Sequence, residues 1–392
     1  MRKKSVARKI AFSQLLILAV IVFGLGFLGI FIRYGQSRTS TSGQASGAVE
    51  FDHEAVELGE MRITDWSPDG KRLLGYKKDA TGVFQIYTWD TAGQDEQMIP
   101  VPTGVPGLSS SCHKGFPHYD PTGKYVLVTV EMDFGCPKVY SQPGLASSTN
   151  LWVVELRTNT WTNLTKYAFP RNVTDLNGAL SPYFSNSGKQ VLWAKILQAA
   201  DTSNPRMIFG KWEMHLADFS MIGVPHLEND RVLSAGDGNI YEPHGFSQDD
   251  QRILFSSDIG LKYSAGLDIW ELNLSNGQLT NITNSDEVYD EHARYLFGTN
   301  NIVYGSTACC RWYNPKYFLA SLSSESYLRQ LPSLARDEVT REPERLTRKN
   351  YGLDFVKRSG NWSTAVSPEG DKIIVWQQFY DGSPDKSWVV SL

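Results

Sequence analysis

Three of the seven histidines occupy comparable places along the chain, each beside carboxylates or a proline. They are His118 in Phe116-Pro117-His118, His244 in Glu242-Pro243-His244 and His292 in Asp290-Glu291-His292. Imidazoles next to carboxylates can hold a divalent metal or an acidic sugar. The candidate binding set is therefore His118, His244, His292, Glu242 and Glu291, with the three histidines as candidate metal ligands. The plainer alternative is that each histidine caps a strand through backbone hydrogen bonds. Four cysteines, Cys112, Cys136, Cys309 and Cys310, permit three pairings. A Cys112–Cys136 bridge would pin a loop insertion and leave Cys309 and Cys310 as a vicinal disulfide or two thiols. No C-x-x-C zinc spacing, G-x-S-x-G elbow, Walker A run, EF-hand loop or H-E-x-x-H is present. No catalytic residue is assigned, and the chain reads as a recognition or scaffold module.

Recurrent turns organise the ectodomain that carries these residues. Ser67-Pro68-Asp69-Gly70-Lys71 returns as Asp120-Pro121-Thr122-Gly123-Lys124, Ser185-Asn186-Ser187-Gly188-Lys189, Ser247-Gln248-Asp249-Asp250-Gln251 and Ser367-Pro368-Glu369-Gly370-Asp371. A degenerate copy stands at Phe297-Gly298-Thr299-Asn300. Proline presets φ in such turns, and Gly, Asp or Asn supplies the positive-φ corner of a tight hairpin. An apolar run follows each copy, for example Arg72-Leu73-Leu74 or Lys372-Ile373-Ile374. A further strand comes next, as in Ile86-Tyr87-Thr88-Trp89, Leu151-Trp152-Val153-Val154, Trp212-Glu213-Met214, Ile269-Trp270-Glu271, Lys316–Leu322 and Trp388-Val389-Val390. Several units end in a short Leu-Thr or Ile-Thr strand. Four strands per unit, repeated about six times, predict an all-β, six-bladed β-propeller of four-stranded antiparallel blades.

These paired motifs resemble the TolB-type (WD40-like) propeller family over roughly residues 55 to 392. The resemblance implies the fold. It leaves function open between binding modules and propeller parts of enzymes. Some propeller-type uronate lyases bind metal through converging histidines, which makes a metal-dependent carbohydrate-active enzyme the alternative reading.

Ahead of the propeller, Arg2, Lys3, Lys4, Arg8 and Lys9 precede an uncharged apolar run from Ile10 to Ile32. At 1.5 Å per residue the run covers roughly 34 Å, enough to cross a hydrocarbon core of about 30 Å. Residues 1–9 then form a basic cytoplasmic stub, 10–32 a transmembrane signal anchor, 33–50 a flexible linker and 51–392 the extracytoplasmic propeller. A cleaved secretory signal is the competing reading, although its apolar region is usually shorter. Gly24-Leu25-Gly26-Phe27-Leu28-Gly29 spells G-x-G-x-x-G inside this run, where no βαβ unit can form, so the nucleotide reading is discarded. The net charge of −4 provides no footprint for nucleic acid. The expected partners are the membrane, through the N-terminal helix, and an envelope or cell-surface protein or glycan.

Three structural expectations follow. Residues 55–60 should complete the last blade, with the tether leaving from the face of the first-to-second strand turns. The histidines should look toward the opposite mouth of the channel. Residues 323–344 should form a charged, part-helical insertion.

Overall fold

The computed structural model describes residues 50–392 apart from several segments, chiefly 308–324, 331–343 and 349–358. Residues 1–49 lie outside the described residues, so the predicted stub, anchor and most of the linker do too. Among the described residues no helix is long and apolar enough to cross a membrane.

The fold is an all-β propeller of four-stranded antiparallel blades. Blade one consists of Arg62–Trp66, Arg72–Lys78, Phe84–Asp90 and Gln97–Met98, and blade two of Lys114–Tyr119, Tyr125–Glu131, Thr149–Glu155 and Thr160–Asn163. Blade three is Gly178–Phe184, Gln190–Gln198, Lys211–Ser220 and His226–Val232. Blade four is Tyr241–Phe246, Arg252–Ser257, Asp268–Asn273 and Leu279–Asn281. Blade five is Asp290–Leu296, Asn301–Ser306, Glu325–Gln330 and Glu344–Arg345. Blade six takes Ser359–Val366, Lys372–Phe379 and Lys386–Ser391 from the end of the chain and Ala55–Gly59 from its beginning. The first strand of every blade packs against the first strands of the blades before and after it, which closes the ring.

The recurrent turns do what their residue types demand. Ser67 Oγ accepts the Arg72 backbone N–H at 2.8 Å, and Asp120, Ser185, Ser247 and Ser367 accept the equivalent N–H of residues 125, 190, 252 and 372. The corner residue has positive φ in each copy, at Gly70, Gly123, Gly188, Asp250, Gly298 and Gly370. Asp250 is the one without glycine. Its carboxylate accepts the backbone N–H groups of Asn186 at 2.7 Å and Ser187 at 2.8 Å, which ties the blade-four turn to that of blade three.

Closure is a β-pairing between the two ends of the propeller, with Ala55 opposite Val390 and Val56 opposite Val389. Just before it, Glu50 and Phe51 pair with Arg348 and Thr347, so the chain reaches the ring along the flank of blade five. The core lies between blades, where Leu73, Val126, Leu127, Val191, Ile253, Ile302 and Ile373 are fully buried.

One strand differs from expectation. The third strand of blade five is Glu325–Gln330, paired with Asn301–Ser306, and not Lys316–Leu322, which falls outside the described residues. The stretch expected to be part-helical thus contains a strand. Tyr327 and Leu328 stand opposite Tyr304 and Val303, so ladder pairing overrides the helix-compatible local composition.

Candidate functional site

The first strand of each blade carries a register irregularity at the same level. The breaks lie between Ile63 and Asp65, Gly115 and His118, Leu180 and Tyr183, Pro243 and Gly245, Glu291 and Arg294, and Ser363 and Ala365. A bulge bends a strand and re-aims its side chains. His244 and His292 sit within these bulges and His118 directly after one. The sequence-predicted histidines are therefore equivalent positions of a ring, which explains their common spacing from the turns.

Hydroxyl groups stitch the ring at this level. Thr64 Oγ1 donates to Pro117 O at 2.6 Å, Thr149 Oγ1 to Ala179 O at 2.7 Å and Ser181 Oγ to Glu242 Oε1 at 2.8 Å. Ser256 Oγ donates to Asp290 O at 3.2 Å, Ser363 Oγ to His292 O at 3.0 Å and Thr364 Oγ1 to Ile63 O at 2.7 Å. Every blade junction is crossed at least once. Buried hydroxyls in such positions must be paired, and pairing across the junction fixes the blades against one another.

A cavity of about 290 Å³ opens on the ring axis, lined by residues 64–66 and 68, 118–121, 183–186, 244–246, 294, 295 and 297, and 365, 366 and 368, one segment from each blade. Its rim is made by the turn residues Pro68, Pro121, Asn186 and Pro368. The mouth therefore lies on the face of the first-to-second strand turns. The expectation that the histidines look toward the opposite mouth is corrected for His118 and His244, which line this cavity. The reason is the bulge level, which puts both residues nearer the hairpin end of their strands. Glu242, Glu291 and His292 lie outside its lining.

Each histidine is engaged. His118 Nδ1 lies 3.6 Å from Asp65 Oδ2 and its ring packs on Tyr183 with centroids 4.2 Å apart. His244 Nε2 is 2.6 Å from Ser256 Oγ. His292 stands between Trp362 and Trp376, with its Nε2 3.3 Å from Glu291 Oε2 and its ring 6.2 Å from that of His244. Burial drives all three below the usual imidazole range, helped at His244 by the Arg294 charge and at His292 by Arg62. Glu291 is pushed well above the usual carboxyl range, first by burial and then by the charge of Glu242, with which it shares a hydrogen bond.

The three histidines do not bring their ring nitrogens to one point. Among the described residues, the one group of three or more potential metal ligands within 4.8 Å of one another is Cys112, Glu131 and Cys136. Cys112 and Cys136 are joined as a disulfide with Cα atoms 5.0 Å apart, so their sulfurs are not thiolate ligands. Cys309 and Cys310 lie outside the described residues.

Sequence reasoning missed two arginines. Arg62 stacks on Trp376 with its guanidinium carbon 3.7 Å from the ring centroid. Arg294 donates to the carbonyls of Thr364 at 3.1 Å, Ala293 at 2.7 Å and His244 at 3.4 Å, and lies 5.0 Å from the Tyr183 ring centroid. The only available signal was an arginine two residues after a candidate histidine, and nothing local marks it as inward-facing.

The ring of bulged first strands, the hairpin turns and the end-to-end closure decide the fold. It is a six-bladed β-propeller. Solved structures similar to this chain include TolB from Acinetobacter baumannii, 14% identical, with 82% of this chain covered and a TM-score of 0.47. This chain spans 64% of that protein's length. An oligogalacturonate lyase in complex with manganese is 11% identical, with 89% of this chain and 98% of the lyase covered and a TM-score of 0.50. The β-propeller domain of the Trilobed protease from Pyrococcus furiosus is 10% identical, with 84% and 79% covered and a TM-score of 0.44. No family model and no curated protein matches the sequence. At these identities the likeness concerns the fold.

Proposed function

We propose that this chain is a membrane-anchored, extracytoplasmic six-bladed propeller that binds an envelope or cell-surface protein or glycan at the hairpin-side mouth of its ring. The observation that carries this reading is the axial cavity, to which every blade contributes the same segment. Concave sites of this kind, with a few polar groups among aromatic walls, are binding sites. The apolar run at residues 10–32 supports the anchor, and the basic residues before it support an extracytoplasmic propeller. The linker has an r.m.s. span of roughly 20–25 Å, which leaves the mouth accessible on either side of the ring.

The test places a photo-crosslinking residue at exposed Glu369, in a rim turn, or at exposed Thr81, in a loop on the other face. The full chain in its native membrane should give a discrete adduct from position 369 and none from 81. Equal adducts from both, or none from either, would refute the reading. The alternative, a metal-dependent uronate lyase-like enzyme, draws support from the proximity of His244, His292 and the Glu242–Glu291 pair. Elemental analysis decides it: a stoichiometric divalent metal lost in His244→Ala and His292→Ala would favour the enzyme.

A further inference from the structure

We propose that the axial cavity takes a single carboxylate, carried on an apolar or aromatic body and received by Arg294. The inference rests on the reading of the mouth as a binding site and names the chemistry of its ligand.

Arg294 comes from the bulged first strand of blade five and reaches the lining of the cavity. Three backbone carbonyls hold its Nε and Nη1. Its Nη2 makes no hydrogen bond among the described residues, and no carboxylate pairs with it there. A guanidinium stays charged at any physiological pH, and a partly buried one without a counter-ion invites an anion. The carbonyls fix its plane, so the free edge is already oriented and little freedom is lost on binding.

The surroundings define which anion. The two carboxylates in the lining are occupied. Asp65 Oδ1 accepts the Trp66 N–H at 2.8 Å and Oδ2 the Tyr119 N–H at 2.7 Å, while Asp120 Oδ1 accepts the Lys124 and Tyr125 N–H groups at 2.8 and 2.7 Å and Oδ2 the Thr122 hydroxyl at 2.6 Å. His118 and His244 are held neutral by burial, so they add no positive charge. One cation facing one empty edge matches a monoanion, and a dianion would meet Asp65 with nothing to offset its second charge. From Arg294 toward the rim the walls are Tyr183, Trp66, Phe246, Phe297 and Pro121. Such walls suit an apolar or aromatic body. A cavity of about 290 Å³ limits that body to a small organic acid or the last residue of a chain.

The experiment uses the full chain in nanodiscs and isothermal titration calorimetry with 3-phenylpropionate and its neutral amide. A second pair of probes, Ala-Pro-Phe with a free or an amidated C-terminus, separates a free acid from a peptide terminus as the source of the carboxylate. At least one acid should bind roughly tenfold more tightly than its amide. Arg294→Gln should abolish that difference, and Arg294→Lys should keep part of it. Acid and amide binding alike, or no acid binding up to about 10 mM, would overturn the assignment. That comparison needs no substitution, so it decides even where Arg294→Gln does not fold. A rim that crosslinks its partner while acid and amide behave alike overturns the carboxylate and spares the binding reading. Acid-selective binding without any rim adduct does the reverse.

Discussion

His113 shows how burial becomes pH dependence. It is buried just before the first strand of blade two, and its Nδ1 accepts the Phe84 N–H at 3.1 Å. Protonating that nitrogen would break the bond and place a charge beside Lys78 and Lys114. Burial and then these charges lower the imidazole to about 4. The folded state therefore resists a proton that the unfolded chain accepts below about 6.5. Stability is full above pH 6.5 and is lost as pH falls from there to about 4, a cost of about 3 kcal/mol. His113→Asn keeps an acceptor near the same place and cannot titrate. Urea denaturation at pH 7 and pH 4 should show a smaller acid loss in the variant by about that amount. Asp290 and Asp385, each raised to about 6 by burial, act in the opposite direction as pH falls below 6. The difference between variant and wild type isolates the histidine from them.

At the scale of the element, turns and insertions set the stability of individual blades. Asp250 adopts a φ of 57° and accepts from Asn186 N, Asn186 Nδ2 and Ser187 N. Asp250→Ala keeps the strained backbone and removes all three hydrogen bonds, and should cost about 2–3 kcal/mol. Asp250→Gly removes the same hydrogen bonds and relieves the strain, so it should cost roughly 1 kcal/mol less than alanine. A glycine variant less stable than the alanine variant would show that backbone strain does not separate the two, and an alanine variant as stable as the wild type would show that the carboxylate is not what holds the turn. In blade two the Cys112–Cys136 bridge spans 24 residues. Its double serine variant should lose about 3 kcal/mol in denaturant. The turns and most strands were legible because Ser-Pro-Asp-Gly chemistry is local and recurs in register. Blade five was not, since its turn is degenerate and its third strand, Glu325–Gln330, is specified by pairing with Asn301–Ser306. The candidate site was half legible. Regular spacing exposed His118, His244 and His292 as equivalents. Bulges, which decide which mouth a residue faces, have no sequence signature here, and Arg294 acquires its role only from the backbone carbonyls of three blades.

For the whole molecule the decisive contact is the one between its ends. A propeller without closure has two free strand edges, and here Lys386–Ser391 would be one of them. Ala55–Gly59 covers it with a ladder that includes Val56 opposite Val389, and Lys386 Nζ adds a bond to Glu57 Oε1 at 2.7 Å. Ser387 Oγ then donates to Met61 O at 2.7 Å, which links the closed blade directly to blade one. Because the strand comes from the far end of the sequence, its pairing opposes separation of blades six and one, and so supports the cavity to which both contribute. Deleting residues 55–59 should therefore lower the thermal midpoint and give concentration-dependent association through the exposed edge, measured by light scattering. Adding the peptide Ala-Val-Glu-Leu-Gly at high concentration should reverse part of the association by occupying that edge. A deletion that stays monomeric with an unchanged midpoint would mean that the packing of the bulged first strands alone holds the ring closed.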